Sequence, residues 1–447
     1  MMVSRSYTFA LGYRRVLRRL HDDRMMYKCS KFGVLLLLSL LVINAYGQQS
    51  WNFSGFATLG AGKTNRDSYQ FIEYDGEWSF DSDTVIGLQL VAHPLDRISF
   101  TGQVVARGYN FDSDQSSFEP ELEWAFASID LYEYGRLRLG RLRTPYQYFS
   151  ESLEVGYSYV WVRPPVDVYA FAFDPFTHYE GVDYSFNLYP QDFNLELKAL
   201  YGETKGNYLI NTIDISRMLG VSATGSWDNF VIRYGFIDHD LSVYSDLYKP
   251  LISALEQASL SLPFANDLDL VADRLTIDNG TMPYHNLTLD WRLGKWNFIA
   301  EGLIAKPPKK GLLSYINAWY LSLSHELGQY TPYLTVGSFD FKLENQVFQE
   351  VDRVFSAAYQ AAGQLNPELQ SLQQQTYLAL ESYSNSQRSY ALGLRYEFHP
   401  KIALKGEIQY LELLEDSPGQ LVPKNFQDPT INIADATIIT LVMDVIF

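Results

Sequence analysis

Apolar and polar residues alternate along most of this chain with a period of two, which sends successive side chains to opposite faces of a strand. Phe193, Leu195, Leu197, Ala199 and Tyr201 alternate with Asn194, Glu196 and Lys198. Leu287, Leu289 and Trp291 alternate with Thr288, Asp290 and Arg292, and the run from Tyr390 to Phe398 repeats the pattern around Arg395 and Glu397. The alternation predicts sixteen strands, at 51–62, 83–92, 96–109, 121–131, 136–141, 178–188, 193–203, 217–227, 229–238, 283–293, 296–305, 313–326, 330–341, 387–398, 402–413 and 437–447. Most are near the length a tilted strand needs to cross a bilayer. In the last, Ile439, Leu441, Met443, Val445 and Phe447 share one face and Thr440 and Asp444 the other. In water such an apolar edge invites aggregation; in lipid it closes a barrel.

The connections between these strands alternate in length. Tight ones fall at 93–95, 132–135, 189–192, 228, 294–295, 327–329 and 399–401. Long ones fall at 63–82, 110–120, 142–177, 204–216, 239–282, 306–312, 342–386 and 414–436. Short periplasmic turns and longer external loops are the asymmetry of a transmembrane antiparallel β-barrel, whereas a soluble sandwich has no reason to collect its length at one end. An even sixteen strands leaves an aqueous lumen rather than a filled core. Two long loops carry helical spacing: Val347, Val351, Val354, Phe355, Ala358, Tyr359 and Ala362, broken by Asn366-Pro367 and resumed by Leu369, Leu372 and Leu380; and Leu247, Leu251 and Leu255. Such helices either pack the outer rim or form a lid over a vestibule.

The first 47 residues read as a leader. Lys28 and Lys31 precede the apolar run 33–43 and then Ala45-Tyr46-Gly47, a charged region, an apolar core and a small-x-small cleavage site. Arg14, Arg15, Arg18 and Arg19 lengthen this region, which fits an upstream start with Met25 or Met26 as the true one better than a twin-arginine signal. Residues 48–447 are then the single barrel domain. Cys29, the one cysteine, leaves with the leader, so no disulfide, metal thiolate or thiol chemistry is expected. The leader also takes eight of 35 Lys/Arg and two of 52 Asp/Glu, leaving 27 basic against 50 acidic side chains. That balance argues against nucleic acid and suits an anionic cell surface. With 33 tyrosines, aromatic residues are numerous enough for girdles at both lipid interfaces.

The most suggestive internal motif runs from Gly135 to Pro145, reading Gly-Arg-Leu-Arg-Leu-Gly-Arg-Leu-Arg-Thr-Pro. Arg136 and Arg138 share a face, and charge on the lipid face costs about 2–4 kcal/mol per Arg at mid-depth, so both should line the lumen. The same parity turns Arg107, Arg233, Arg395 and Lys405 inward, with Asp183, Glu196, Asp290, Glu301, Glu397 and Glu407. The loop at 142–177 supplies Tyr146, Tyr148, Tyr157, Tyr159 and Trp161, the carboxylates Glu151, Glu154, Asp167 and Asp174, and Pro164-Pro165. Mixed lumenal charge sets up a transverse field that favours small polar solutes. Taken singly, each charge also fits a salt-bridged wall residue.

Over residues 135–175 and the terminal strand the chain resembles the Gram-negative outer-membrane porin superfamily. The resemblance implies a third external loop that folds into the barrel and sets its constriction, its acids facing arginines on the opposite wall. On this sequence it points to Arg107, Arg136 and Arg138 opposing Glu151 and Glu154 at the narrowest point, with Asp167 also lining the pore. It further implies a homotrimer and recognition of the C-terminal strand by the barrel-insertion machinery, in a bacterial outer membrane with its lipid and lipopolysaccharide. The loop lacks the short Pro-Glu-Phe-Gly-Gly turn of the general porins and is longer and more aromatic, so pore size and substrate preference do not carry over.

Catalytic signals are weak. His93 and His399 lie in tight turns, Ser324 and His325 are adjacent and so on opposite faces, and no Gly-x-Ser-x-Gly, phosphate loop or zinc helix occurs. No enzyme and no cofactor is expected. The readings left open are a diffusion porin for small hydrophilic solutes and ions, a substrate-selective channel for sugars stacked on the tyrosines or for small anions held by arginine, and a surface adhesin or receptor acting through 342–386.

Overall fold

The computed structural model describes residues 50–72, 74–109, 117–169, 176–190, 192–208, 211–261, 267–307, 314–362, 366–381, 384–414, 417–423 and 434–447. The leader at 1–47 and Asp174 lie outside them. Sixteen strands go round: β1 (Ser50–Thr64), β2 (Val85–Leu95), β3 (Ile98–Arg107), β4 (Pro120–Asp130), β5 (Arg136–Arg143), β6 (His178–Leu188), β7 (Asn194–Tyr208) and β8 (Asn211–Trp227). They continue with β9 (Phe230–Ser245), β10 (Tyr284–Leu293), β11 (Trp296–Ala305), β12 (Tyr315–His325), β13 (Tyr330–Lys342), β14 (Asn385–His399), β15 (Ile402–Leu413) and β16 (Ala436–Ile446). A further short strand, Ile277–Thr281, pairs with the far end of β9 and completes the 17 strands of the sheet.

Every spanning strand pairs antiparallel with its neighbour in sequence, and β16 closes on β1 from Phe56↔Ile446 to Thr64↔Ile438. The closing register puts Phe447 at the tight-turn rim, where its backbone exchanges hydrogen bonds with Gly55 at 3.0 Å each way. Closure leaves no unpaired edge, the condition for backbone to sit in hydrocarbon. Leu139, Leu197, Leu287, Leu392 and Leu441 are exposed on the outside, while Thr440 and Asp444 of the terminal strand are buried inside. Tyr132, Tyr134, Tyr189, Trp227, Trp296, Tyr330, Phe398 and Phe447, all next to tight turns, are exposed and form an aromatic girdle at that end.

One strand explains an ambiguity of the sequence. Along β4 the inward residues are Glu121 and Glu123 near the long-loop end but Phe126 and Ser128 below, and parity switches at a bulge where Gln103↔Trp124 is followed by Val104↔Leu122. The extra residue, Glu123, is what blurs the alternation of 121–131.

The two helical loops are helical. Helices α1 (Lys249–Ser261) and α2 (Leu268–Arg274) precede β10, and α3 (Asn345–Ala362) and α4 (Pro367–Glu381) lie between β13 and β14. Leu255, Leu268, Val351, Phe355, Leu369 and Leu380 form their shared apolar core. The Asn366 side chain accepts from the backbone N–H of Glu368 and Leu369 at 3.0 and 3.2 Å and so caps α4, where Pro367 needs no donor. At the same end of the barrel, the 69–79 segment forms a two-residue ladder, Tyr69–Gln70 against Val422–Pro423, with Phe71 and Tyr74 buried against Val166, Leu411 and Ile438.

Candidate functional site

The loop between β5 and β6, loop 3, enters the lumen and runs its full depth. It starts at the long-loop end, and the Tyr157 hydroxyl donates to the carbonyl of Pro400, in the tight turn after β14, at 2.9 Å. Along this path Tyr146, Tyr159, Trp161, Val168 and Tyr169 are buried in one apolar cluster with inward residues of β6–β13, among them Leu200, Ile215, Met218, Ile237, Ile299, Tyr320 and Phe339. The sequence-based expectation of a lumen without a core therefore fails over this half of the barrel. Large side chains on the loop and the wall meet at van der Waals distance, and burying each removes apolar surface from water.

Polar groups fix the loop's position. The Trp161 indole N–H is shared between Ser322 Oγ and Thr335 Oγ1 at 2.9 Å each. Glu301, on β11, accepts from the backbone N–H of Tyr148 at 2.8 Å and from the hydroxyls of Tyr169 and Tyr320 at 2.9 and 3.0 Å. Three inward cations hold loop carbonyls: Arg395 holds those of Tyr157 and Tyr159, Lys405 those of Gly156 and Trp161, and Arg233 that of Pro145, all within 2.5–2.8 Å. Lys405 also pairs with Asp444 at 2.9 Å, whose other oxygen accepts from Thr58 at 2.7 Å. Arg163, on the loop, ion-pairs with Asp83 and donates to Thr440 at 2.9 Å. Arg233, Arg395 and Lys405 thus clamp the loop rather than face open water.

The charges predicted to oppose one another divide into two groups on the β3–β7 wall. Arg107 donates to Glu154 at 2.9 and 3.2 Å and to Glu121 at 2.8 Å, and it also contacts Glu123. Arg143, at the end of β5, binds Glu123 at 2.5 Å and Glu154 at 2.9 Å, so two arginines and three glutamates share one knot. Lower in the lumen Arg138 forms a fork with Asp183 at 2.6–3.1 Å and reaches Glu151 at 3.1 Å, which Lys198 meets from β7 at 2.8 Å. Partial burial pushes the Glu151 carboxyl up, but Lys198 and Arg138 outweigh it and hold the group down at about 2. Its side chain remains 44% exposed, so this group is wet.

Two of the predicted residues lie elsewhere. Arg136 is at the tight-turn rim, away from Glu151 and Glu154, and among the described residues it has no ion pair. Asp167 is buried on a single helical turn, Val166–Tyr169, and accepts from Ser389 and, at 3.2 Å, from Gln387 on β14. Burial lifts its carboxyl to about 6, against the smaller downward effect of those two donors. It acts as a foot of the loop on the opposite wall and does not face water.

Sequence reasoning missed Glu123, Arg143, Lys198 and Asp183 as partners of the predicted residues. Strand parity had marked Asp183 as inward, and Lys198 is the inward neighbour of Leu197 and Ala199. The Glu123 bulge breaks that parity on β4.

A closed sixteen-stranded antiparallel barrel with an apolar belt, tight turns at one rim and a long loop folded into its lumen is the fold of the bacterial outer-membrane porins. Among solved structures the chain is similar to the anion-selective porin of Comamonas acidovorans, with a TM-score of 0.51 and 12% identity over 90% of this chain and 100% of that one. It is likewise similar to Salmonella typhi OmpF, solved in complex with daunomycin, with a TM-score of 0.50 and 9% identity over 88% and 97% of the two chains. At these identities the likeness is one of fold. No protein-family model matches the chain, and no curated protein does.

Proposed function

We propose that this chain is a non-enzymatic outer-membrane channel for passive diffusion of small hydrophilic solutes and ions. Its tight turns face the periplasm, and its path lies between loop 3 and the β2–β7 wall. The observation that carries this reading is the uneven filling of the lumen: loop 3 packs as an apolar core against β6–β13, while charged, partly exposed side chains collect on the other side. The pairs Arg107–Glu154 and Arg138–Glu151 would form its narrowest stretch. Mixed charge there favours polar over apolar solutes without excluding either sign of ion.

The sugar-selective alternative loses support, because Tyr146, Tyr159 and Trp161 are buried anchors and cannot serve as an exposed stacking track. A homotrimer, with Trp51, Phe53 and the outward faces of β1 and β16 at its contact, is part of the proposal, as are export by the 1–47 leader and insertion through the C-terminal strand. The test is planar-bilayer conductance of the purified barrel. Ohmic steps whose size and ion selectivity change in Glu151→Gln and Arg107→Gln support the path; unchanged steps place it elsewhere. Absence of any conductance overturns the channel.

A further inference from the structure

At the tight-turn rim of the lumen a cavity of about 350 Å³ opens between β2 and β5, with Arg97, Arg136 and Arg138 on its lining together with Asp96, Asp130 and Phe126. Its size is in the range of small-molecule sites. Arg138 is already neutralised by Asp183 and Glu151, and its guanidinium lies 5.4 Å from the centre of the Phe126 ring. Arg97 and Arg136 have no ion pair among the described residues, but Arg97 lies over the Tyr132 ring, 3.5 Å from its centre, which leaves Arg136 as the guanidinium without a contact. The other inward arginines, at 107, 138, 143, 163, 233 and 395, all have hydrogen-bonding partners; Arg136 has none among the described residues.

The position of Asp130 makes this informative. Asp130 and Arg136 are Cα partners across β4 and β5, so their side chains leave the same face as neighbours, the arrangement in which opposite charges normally meet. Asp130 instead accepts from the backbone N–H of Tyr132 at 2.8 Å, and no ion pair to Arg136 forms. A carboxylate and a guanidinium held side by side but unjoined, in a cavity that Phe126 lines farther along the strand, present one group of each sign to a solute. Both remain partly hydrated, so neither carries the full penalty of a buried lone charge.

We infer that this cavity is a subsite for zwitterionic solutes of the amino-acid class: the carboxylate binds Arg136, the ammonium binds Asp130, and the side chain extends into the cavity toward Phe126. The inference rests on the channel reading, since it places the subsite at the periplasmic exit of the proposed path. A purely anionic solute would satisfy Arg136 but meet Asp96 and Asp130; a purely cationic one would meet the arginines.

The test is calorimetric titration of the purified barrel in detergent with L-leucine, N-acetyl-leucine and leucine methyl ester, run beside bilayer conductance of the same preparation. Leucine is expected to bind, with each blocked derivative weaker by about tenfold or more, the effect of losing one charge-assisted contact. Arg136→Gln and Asp130→Asn should each weaken leucine by a similar factor while the fold, read by far-UV circular dichroism, is unchanged. N-acetyl-leucine binding as tightly as leucine overturns the zwitterion class, and so does leucine affinity unaffected by both substitutions. A barrel that conducts but does not bind leucine overturns the subsite alone. One that binds leucine with the expected discrimination but does not conduct overturns the channel alone.

Discussion

The foot of loop 3 at Asp167 makes its docking dependent on pH, and the sign is fixed by where the carboxyl sits. Its ordinary value is 3.8; docked, it is pushed up to about 6 because the group is buried with two neutral donors and no cation in contact. A carboxyl raised on docking favours the docked state when protonated. The contribution is complete below 3.8, falls away as pH rises from 3.8 to 6, and above 6 leaves docking weaker by about 3 kcal/mol, at 1.36 kcal/mol per pH unit. That magnitude does not release the whole loop, because Trp161, Arg395 and Lys405 hold it independently. It should loosen the turn at 166–169, whose Val168 and Tyr169 amides donate to the Pro165 carbonyl at 3.2 and 3.1 Å. Hydrogen exchange of those two amides, corrected for the intrinsic pH dependence of exchange, should show protection falling by about 100-fold between pH 4 and pH 7. Asp167→Asn keeps an acceptor toward Gln387 and can donate to Ser389, so its protection should be flat over the same range. Equal pH dependence in the two proteins, or protection that rises with pH, would refute the assignment.

Replacing Trp161 by Phe removes the indole donor shared by Ser322 and Thr335 and leaves both hydroxyls to each other. Docking should weaken by about 1 kcal/mol, seen as greater proteolytic sensitivity of the loop with the barrel intact. Lys405→Met strips the buried Asp444 of its cation and frees two loop carbonyls. Thermal unfolding in detergent should show a loss of about 3–5 kcal/mol, and Lys405→Met combined with Asp444→Leu should recover much of it. On the lipid face, Leu392→Arg should cost about 2–4 kcal/mol in bilayer refolding titrations, whereas substitution of the inward Arg395 should act through loop 3 and leave barrel insertion unchanged.

How far the sequence could be read depended on whether a residue's role follows from strand parity. Parity alone turned Leu392 outward and Thr440 and Asp444 inward, and the alternation of connection lengths gave the strand number and the direction of β16. The helices α3 and α4 were legible from Val351, Phe355 and Leu369 because apolar spacing of 3.6 survives in a loop as it does in a core. Parity failed at β4, where the bulge at Glu123 reverses it, and so the knot of Arg107, Arg143, Glu121, Glu123 and Glu154 appeared only in part. It could not distinguish Arg136 from Arg138 either: they share a face, but one strand step of two residues separates a rim position from a buried fork with Asp183. Loop residues have no parity at all. Asp167 and Glu151 look alike in sequence, yet one is packed against Ser389 and the other is wet, because only the loop's fold inside the lumen decides which carboxylate reaches a wall.

The clamps on loop 3 also set the order in which this molecule can be assembled. The pairs from Arg395 and Lys405 to the loop's carbonyls, and from Arg163 to Thr440, join residues 236 to 277 positions apart and use the last three strands of the barrel, whereas Arg233 holds the Pro145 carbonyl across only 88. Each hairpin of the sheet, by contrast, joins strands that are neighbours in the chain and can form locally. The loop is therefore made early and its seating is completed late: the part of its receptor surface on β14, β15 and β16 does not exist until those strands have joined. The Trp161 indole can meet Ser322 and Thr335 once β12 and β13 are paired, but its carbonyl and those of Gly156, Tyr157 and Tyr159 wait for Arg395 and Lys405. Engagement of those carbonyls then marks completion of the wall, a signature of maturity that no single hairpin provides.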